Sequence, residues 1–570
     1  MGLSAALQTG KSGLLAHQAA IQVTGNNLAN AATPGYKRRT VELTPARDHK
    51  IDATNFVGTG VNLTKITREV NESLEARLRS AITDENGSAT TQELLSRIEA
   101  VQGELSDIDL STRLTEYFGA WSQLATNPQD ASLRTLVIQE ADDLTSFIKD
   151  LRDSYGQLET QSVDQLALSV RAADDVLTRI EQLNEQITQA EAGRGDAGSL
   201  RDQRDQLLAE LSKSLDITTY EQNNGQVNVF VGSTPIILDG NSRGLELRSE
   251  TLDDGTVIQN VVVSDDGTRL NIDNGDLGAQ VAFKNGALND AVAALDQLAS
   301  SLIFETNKLH SESQGLTLRK SYTSSVRVAD PTLALNDTDE VTKLDFLPQH
   351  GSFQIHTTSN ATGIRQTSTI SVDLDGLGGP DMTLNDLATA INAVAGVNAS
   401  VSADGRLTIA GDTADTLVSF TDDSSNVLAS LGINGFFEGS DAFDIAVSSE
   451  VAGDPRFLAA GQEHLAGDNR GALAIAGLAD ASVEDLNGNS ITEHWRAHVE
   501  DVSVTLSRAR DQREADGIVR ENLQTQQAAL SGVNADEEAI NLLQYQRAYQ
   551  ANARFISVVD ELMQTLINLV

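Results

Sequence analysis

The chain has 570 residues, enough for roughly four domains of about 150 residues each. Hydrophobic residues make up 40% of it but aromatics only 4%, so its cores must be built from Leu, Ile, Val and Ala. A net charge of −41, the lack of cysteine and the absence of any run near the ~20 apolar residues of a membrane span argue against nucleic-acid binding and membrane insertion, and exclude disulfides and thiol chemistry.

The start of the chain lacks the charged-then-apolar layout of a cleavable signal. Charge is uneven along its length: residues 1–50 carry a net +4 and residues 531–570 a net −3. Opposite signs suit two segments lying side by side, although such surface attraction is weak and screened by salt.

In chain order, Leu3, Leu7, Gly10, Leu14, His17, Ile21, Thr24 and Leu28 recur at alternating spacings of four and three. Leu7, Leu14, Ile21 and Leu28 occupy one heptad position. This predicts a narrow coiled-coil seam along Leu3, Leu7, Leu14 and Ile21 rather than the broad apolar face of a globular-domain helix. A lone helix of this length is marginal in water, so it is expected to order against a partner. Asn26, Asn27 and Asn30 favour caps and turns over helix interiors. Pro34 disfavours a helical Thr33, and Pro34-Gly35 fits the centre of a type II turn. The following YKRRTVEL is β-biased and extended.

From about Val70 to Leu215 the pattern is helical. The stripe Val163, Leu166, Val170, Ala173, Leu177, Ile180, Asn184, Ile187 and Ala190 and the leucines of LRDQRDQLLAELSKSL predict an antiparallel bundle, with Asn184 as a register-setting polar residue. The period then shortens to two. Val227, Val229 and Val231 alternate, and Asn224-Gly225, Asp254-Gly255 and Asp266-Gly267 offer hairpin turns. A helix from about Ala287 to His310 precedes a second β-rich stretch, with strands at 352–356, 369–374, 399–402 and 406–409. The helix LNDLATAINAV lies among them, with Thr383 and Asp386 spaced as a capping box. Helical tracts at 490–530 and 536–568 close the chain.

The expected fold is therefore multidomain α+β. Residues 1–50 with 531–570 form a terminal helical core segment, and 51–215 with 285–315 and 440–530 a helical bundle. Residues 216–284 form a small β domain, and 316–439 an outer inserted β-rich domain with one helix. On the C-terminal helix, Ala548, Ala551, Phe555, Val558, Leu562 and Leu569 repeat the three-four spacing, with Ile540 and Leu543 one place off it.

No catalytic constellation emerges. His494 and His498 have the i, i+4 spacing of a two-His metal site, but WRA between them lacks the glutamate of HExxH; they read as a partly exposed helix face around Trp495. Asp373-Leu-Asp375-Gly and Asp265-Asp266-Gly267 lack the remaining ligands of a calcium loop and read as turns. The GRGD at 193–196 reads as an interhelical turn, with an adhesion motif as the competing interpretation. No cofactor motif is present, and the chain is not expected to be an enzyme.

Two stretches carry a family resemblance. NNLANAATPGYKR, residues 26–38, resembles the N-terminal signature of flagellar rod, hook and hook-associated axial proteins; SGVNADEEAINLLQYQRAYQANARFI, residues 531–556, is similar to their C-terminal signature. Ala535 stands where the family form has leucine. LRDQRDQLLAELS, ETNKLHSESQGL and GDNRGALAIAGL resemble stretches of hook-associated members, and the unit around 350–437 a module found in those and in flagellins.

The resemblance implies an assembly motif at Asn26, Asn27, Leu28, Ala29, Asn30, Thr33, Pro34, Gly35 and Tyr36. It implies a C-terminal assembly and chaperone-binding helix carrying Asp536, Glu537, Glu538, Ile540, Leu543, Gln546, Ala548, Tyr549, Ala551, Phe555, Val558, Leu562 and Leu566. It further implies export through the flagellar type III apparatus, a cytoplasmic export chaperone (FlgN), and self-assembly at the hook–filament junction between hook protein and a second hook-associated protein (FlgL). Another axial protein, such as the hook protein, and a secreted adhesin using the acidic β domains are the alternatives.

Overall fold

The computed structural model describes residues 2–50, 56–103, 109–192, 195, 197–253, 255–339, 341–462, 465 and 467–568. Gly193, Arg194 and Asp196 of the GRGD stretch, Asp254 of one hairpin turn and Leu569 of the C-terminal stripe lie outside them.

The first helix, α1 (Gly2–Ala29), leads into β1 (Arg39–Pro45), β2 (His49–Lys50), β3 (Phe56–Val57) and β4 (Val61–Arg68). Four helices follow: α2 (Glu72–Gln102), α3 (Leu110–Thr126), α4 (Ala131–Glu191) and α5 (Gly198–Ser214). Next come β5 (Ile217–Glu221), β6 (Val227–Val231), β7 (Thr234–Leu238), β8 (Asn241–Ser242), β9 (Leu245–Thr251) and β10 (Val257–Val263). Helix α6 (Gly275–Ala282) passes through a π-helical turn into α7 (Asn289–Ser311). The second β-rich stretch holds β11 (Ser321–Thr323), β12 (Gly351–Ser359), β13 (Arg365–Val372), α8 (Leu384–Asn392), β14 (Val397–Val401), β15 (Leu407–Gly411) and β16 (Thr416–Thr421). Short elements α9 (Val427–Ser430), β17 (Phe437–Glu438), β18 (Ala446–Val447), α10 (Ser449–Gly453) and α11 (Arg470–Gly477) precede the long closing helices α12 (Ile491–Ser531) and α13 (Ala535–Asn568). The predicted multidomain α+β class is the observed one.

The chain divides into two compact units. The first comprises residues 1–94, 162–285 and 506–570, the second 95–161 and 286–505.

In the first unit, β1 and β4 form an antiparallel ribbon from Arg39↔Arg68 to Pro45↔Val61. β5 to β8 form a four-stranded antiparallel meander, and β9 pairs with β10. One core joins the C-terminal part of α4, α5 and these strands, through Leu166, Val170, Leu177, Ile180, Leu207, Leu211, Val229 and Val263. Asn184 is fully buried there, and its Oδ1 accepts from Arg204 Nη1–H of the neighbouring helix α5 (3.3 Å). Its amide donates to Val227 O (3.1 Å) while its Oδ1 accepts from Val227 N–H (3.1 Å), so it clamps a strand onto the helix. Leu74, Leu78 and Ala81 of α2 pack with Leu523 of α12.

In the second unit, two three-stranded antiparallel sheets, β13-β12-β16 and β11-β15-β14, enclose a core with α8. Phe353, Ile355, Leu384, Ile391, Leu407, Ile409 and Val418 are completely buried. Thr383 and Asp386 form the expected capping box at the start of α8. An aromatic cluster of Tyr117, Phe118, Trp121, Phe436 and Phe437 supplies a second apolar centre. Here the expectation for α12 needs correcting: Trp495 is completely buried, because the helix turns its aromatic face inward. Burial depresses the pKa of both His494 and His498, and the His494 ring meets the Ala294 carbonyl instead of a metal-type ligand.

Candidate assembly site

The two termini meet in the first unit. Contacts pair Gly10 with Ile556, Gly13 with Asn552 and Asn27 with Glu538, so α1 and α13 run antiparallel. The face of α1 that α13 covers is small and polar: Gly10, Gly13, Ala16, Ala20, Thr24 and Asn27 are its buried residues. A Cβ on Gly10 would lie 2.8 Å from Ile556 and 2.9 Å from Phe555; on Gly13 it would lie 3.0 Å from the Asn552 amide. Glycine is thus what allows the helices to approach this closely.

Leu3, Leu7, Leu14 and Ile21 are half-buried beside that face, and Leu28 is exposed. The covered line and the leucine line share Gly10, His17 and Thr24, then diverge by one residue. The leucine line adds Leu7, Leu14, Ile21 and Leu28; the covered line adds Ala6, Gly13, Ala20 and Asn27.

On α13, Glu538, Leu542, Tyr545, Tyr549, Asn552, Ile556, Val559 and Met563 are half-buried or buried and alternate spacings of four and three; Asn541 and Ala553 beside them are half-buried too. Ala548 is also half-buried. Asp536, Glu537, Ile540, Leu543, Gln546, Ala551, Phe555, Val558, Leu562 and Leu566 are exposed. Among them Ile540, Leu543, Val558, Leu562 and Leu566 make a second line that α1 does not cover, each showing more than half of its surface, between 52% and 57%, while Phe555 is 43% exposed with its ring edge beside Gly10. An exposed line of this extent on one helix is the mark of an interaction surface.

The corner after α1 is held by Asn27, whose side chain makes four hydrogen bonds. Its amide donates to Arg39 O (2.9 Å) and to Glu538 Oε2 (3.0 Å); its Oδ1 accepts from the Tyr36 hydroxyl (2.8 Å) and from Arg39 N–H (3.1 Å). Asn26 and Asn30 brace the exposed side, with the Asn30 amide on Asn26 Oδ1 (2.6 Å) and the Thr33 hydroxyl on Asn30 Oδ1 (3.2 Å). Ala29 is exposed. Gly35 has φ 75°, the positive value that the type II turn requires, and the Pro34 carbonyl accepts from the Gln206 amide (2.5 Å). Burial raises the pKa of the Tyr36 hydroxyl, opposed by Arg39, whose guanidinium lies 5.1 Å above the ring.

The basic run beyond the turn is consumed internally. Lys37 reaches Glu75 (2.5 Å), Arg38 reaches Glu538 (2.9 Å), and Arg39 reaches Asp202 (3.3 Å). Arg68 bridges Asp202 and Asp205, both at 2.8 Å. Burial works against its charge, but Asp205 and Asp202 outweigh burial and raise its pKa. Sequence reading named the corner and both helices but missed these acidic partners on α2 and α5. It also missed the Ala6-to-Asn27 line, whose signal was a second three-four repeat in small residues.

Among the described residues, His350, Asp373 and Asp375 are the one group with ligand atoms close enough for an ion, and all three are exposed turn residues. No described helix is long and apolar enough to cross a membrane.

Comparison with known families defines the class. Residues 7–37 match the flagella basal body rod protein family, and residues 526–569 the C-terminal family of flagellar basal body rod FlgEFG proteins. These are the two segments that form the antiparallel pair. Residues 360–416 match the flagellin hook IN motif. The chain is a structural protein of the bacterial flagellum and not an enzyme.

The particular resemblance is to flagellar hook-associated protein 1. Residues 95–323 match the helical domain of flagellar hook-associated protein FlgK. The chain is 26% identical over 595 residues to flagellar hook-associated protein 1 of Salmonella typhimurium, covering 100% of both chains. It is 25% identical to that of Escherichia coli K12, again over 100% of both, and 24% identical to that of Bacillus subtilis 168, over 99% of this chain and 97% of the other. A solved structure of the flagellar hook junction protein FlgK from Burkholderia pseudomallei is 18% identical, with a TM-score of 0.49 over 80% of this chain and 100% of that one.

Proposed function

We propose that the chain is exported through the flagellar type III apparatus and assembles outside the cell at the distal end of the hook, joining hook to filament. It forms a ring-like homo-oligomer there, with hook protein on one side and a second hook-associated protein on the other. A cytoplasmic chaperone holds α13 before export. Residues 1–50 with 531–570 make the inner core of the polymer.

One observation carries this reading. The terminal pair closes on itself through small residues and leaves Ile540, Leu543, Phe555, Val558, Leu562 and Leu566 exposed. In a polymer that line is covered by neighbouring subunits, and the hydrophobic gain of covering it drives addition to the growing end. The full-length similarity to hook-associated protein 1 supports a hook-associated position for it.

A strain lacking this chain should bear hooks without filaments and shed flagellin into the medium. Normal filaments in that strain refute the junction role.

A further inference from the structure

The α1/α13 seam poses a register problem. Gly10, Gly13, Ala16 and Ala20 present a smooth surface, and small residues provide no knobs to lock one heptad alignment against the next. Sliding α13 by seven residues moves it about 10 Å along α1 while keeping the same face inward. Something other than the seam must select the observed alignment.

We infer that Glu538 is a positioning residue that sets this register. It is 2% exposed, and both carboxylate oxygens are engaged by groups on the N-terminal segment. Oε1 accepts from Arg38 Nε–H at 2.9 Å and Oε2 from the Asn27 amide at 3.0 Å. Both donors are themselves fixed: Asn27 by its three other hydrogen bonds, and Arg38 by its backbone N–H, which donates to Ser531 O at 2.9 Å.

Each one-heptad slip is penalised differently. In one direction Glu538 moves to the level of Ala20, where a buried carboxylate has no donor. In the other, Tyr545 arrives at the level of Asn27, and the amide and the Arg38 guanidinium lose their acceptor. The carboxylate thus supplies the discrimination that the small seam lacks. It also ties together the two terminal signatures, 511 residues apart. A consequence rests on the junction reading: register fixes the height of the Ile540-to-Leu566 line, and so where neighbouring subunits meet it.

The chain's lack of cysteine gives a clean background for testing this by disulfide cross-linking of the purified full-length protein. Gly13→Cys with Asn552→Cys reports the observed register. Gly13→Cys with Tyr545→Cys, or with Val559→Cys, reports a slip of one heptad in either direction. On oxidation only the first pair should close. Adding Glu538→Ala should lower its yield several-fold and make a slipped pair appear, with Glu538→Gln falling between because it keeps one acceptor. Glu561→Gln, exposed further along α13, should change nothing. An unchanged first pair under Glu538→Ala, or loss of all three pairs together, overturns the assignment. Because the readout is intramolecular, it stands or falls separately from the junction role, which the deletion strain decides.

Discussion

The terminal helix pair and the β-rich segment 316–439 solve opposite problems with the same apolar repertoire. In the β-rich segment the large side chains go inward: Phe353, Phe420, Ile355, Leu384 and Ile409 are all buried to 1% exposure or less. In the terminal pair the deepest positions hold glycine, alanine, Thr24, Asn27, Glu538 and a single valine, Val559, while Val558 and Leu562 stay more than half in solvent. A folding unit spends its hydrophobes on itself; an assembling one keeps them for a neighbour. The buried carboxyl groups show the same contrast. Glu538 meets Arg38 and Asn27, whereas Glu312 in the second unit meets the Asp423 backbone N–H (2.9 Å) amid the negative charges of Asp423 and Asp422, with Lys308 the attracting cation.

The sharpest way to break the comparison is Phe420→Ala. It should cost the second unit roughly 3–5 kcal/mol, because the cavity forms in a closed core. Urea unfolding followed by a probe in that unit measures this, and a loss below about 1 kcal/mol would mean that the core is not self-contained.

Next comes Glu312. Burial raises its pKa to about 7, with the nearby acids adding to the effect. A carboxyl group whose folded pKa is raised contributes stability below its unfolded value of 4.5, and that contribution is lost as pH rises through about 7. Glu312→Gln should therefore gain on the native protein by about 2 kcal/mol between pH 4.5 and pH 7.5. Parallel stability curves across that range would contradict the assignment.

In the terminal pair, Gly10→Val should cost about 1–3 kcal/mol through overpacking against Ile556 and Phe555. Hydrogen exchange of α1 amides should accelerate while the β-rich segment is unaffected; protection unchanged in α1 would deny the close approach. The smallest stability effect belongs to Phe555→Ala, about 0.5–1 kcal/mol, because the residue is 43% exposed and packs only in part, beside Gly10. Motility is the readout that matters there, and it should fall steeply although export continues. Retained motility would remove Phe555 from the assembly surface.

Much of this protein is legible in a linear pattern, because helix and strand periods, turn residues and caps are local. The long helices, the Thr383 capping box, the Pro34-Gly35 turn and the two terminal signatures all follow from residues within a few positions of one another. The partners of Asn184 are not legible in this way: its position on the α4 stripe is local, but it bonds Arg204 on α5 and a strand edge 43 residues away.

What the sequence by itself determined is that both ends are amphipathic helices and that α13 carries an excess of apolar positions. Which of its two lines faces α1 was decided in three dimensions. Counting hydrophobes favours the line through Phe555 and Leu562, but pairing energy depends on how closely backbones can approach and whether buried polar groups find partners. Gly10 and Gly13 permit the approach only on one face, and Asn27 and Arg38 satisfy Glu538 only in one alignment. Neither condition is visible until residues from opposite ends of the chain are brought together.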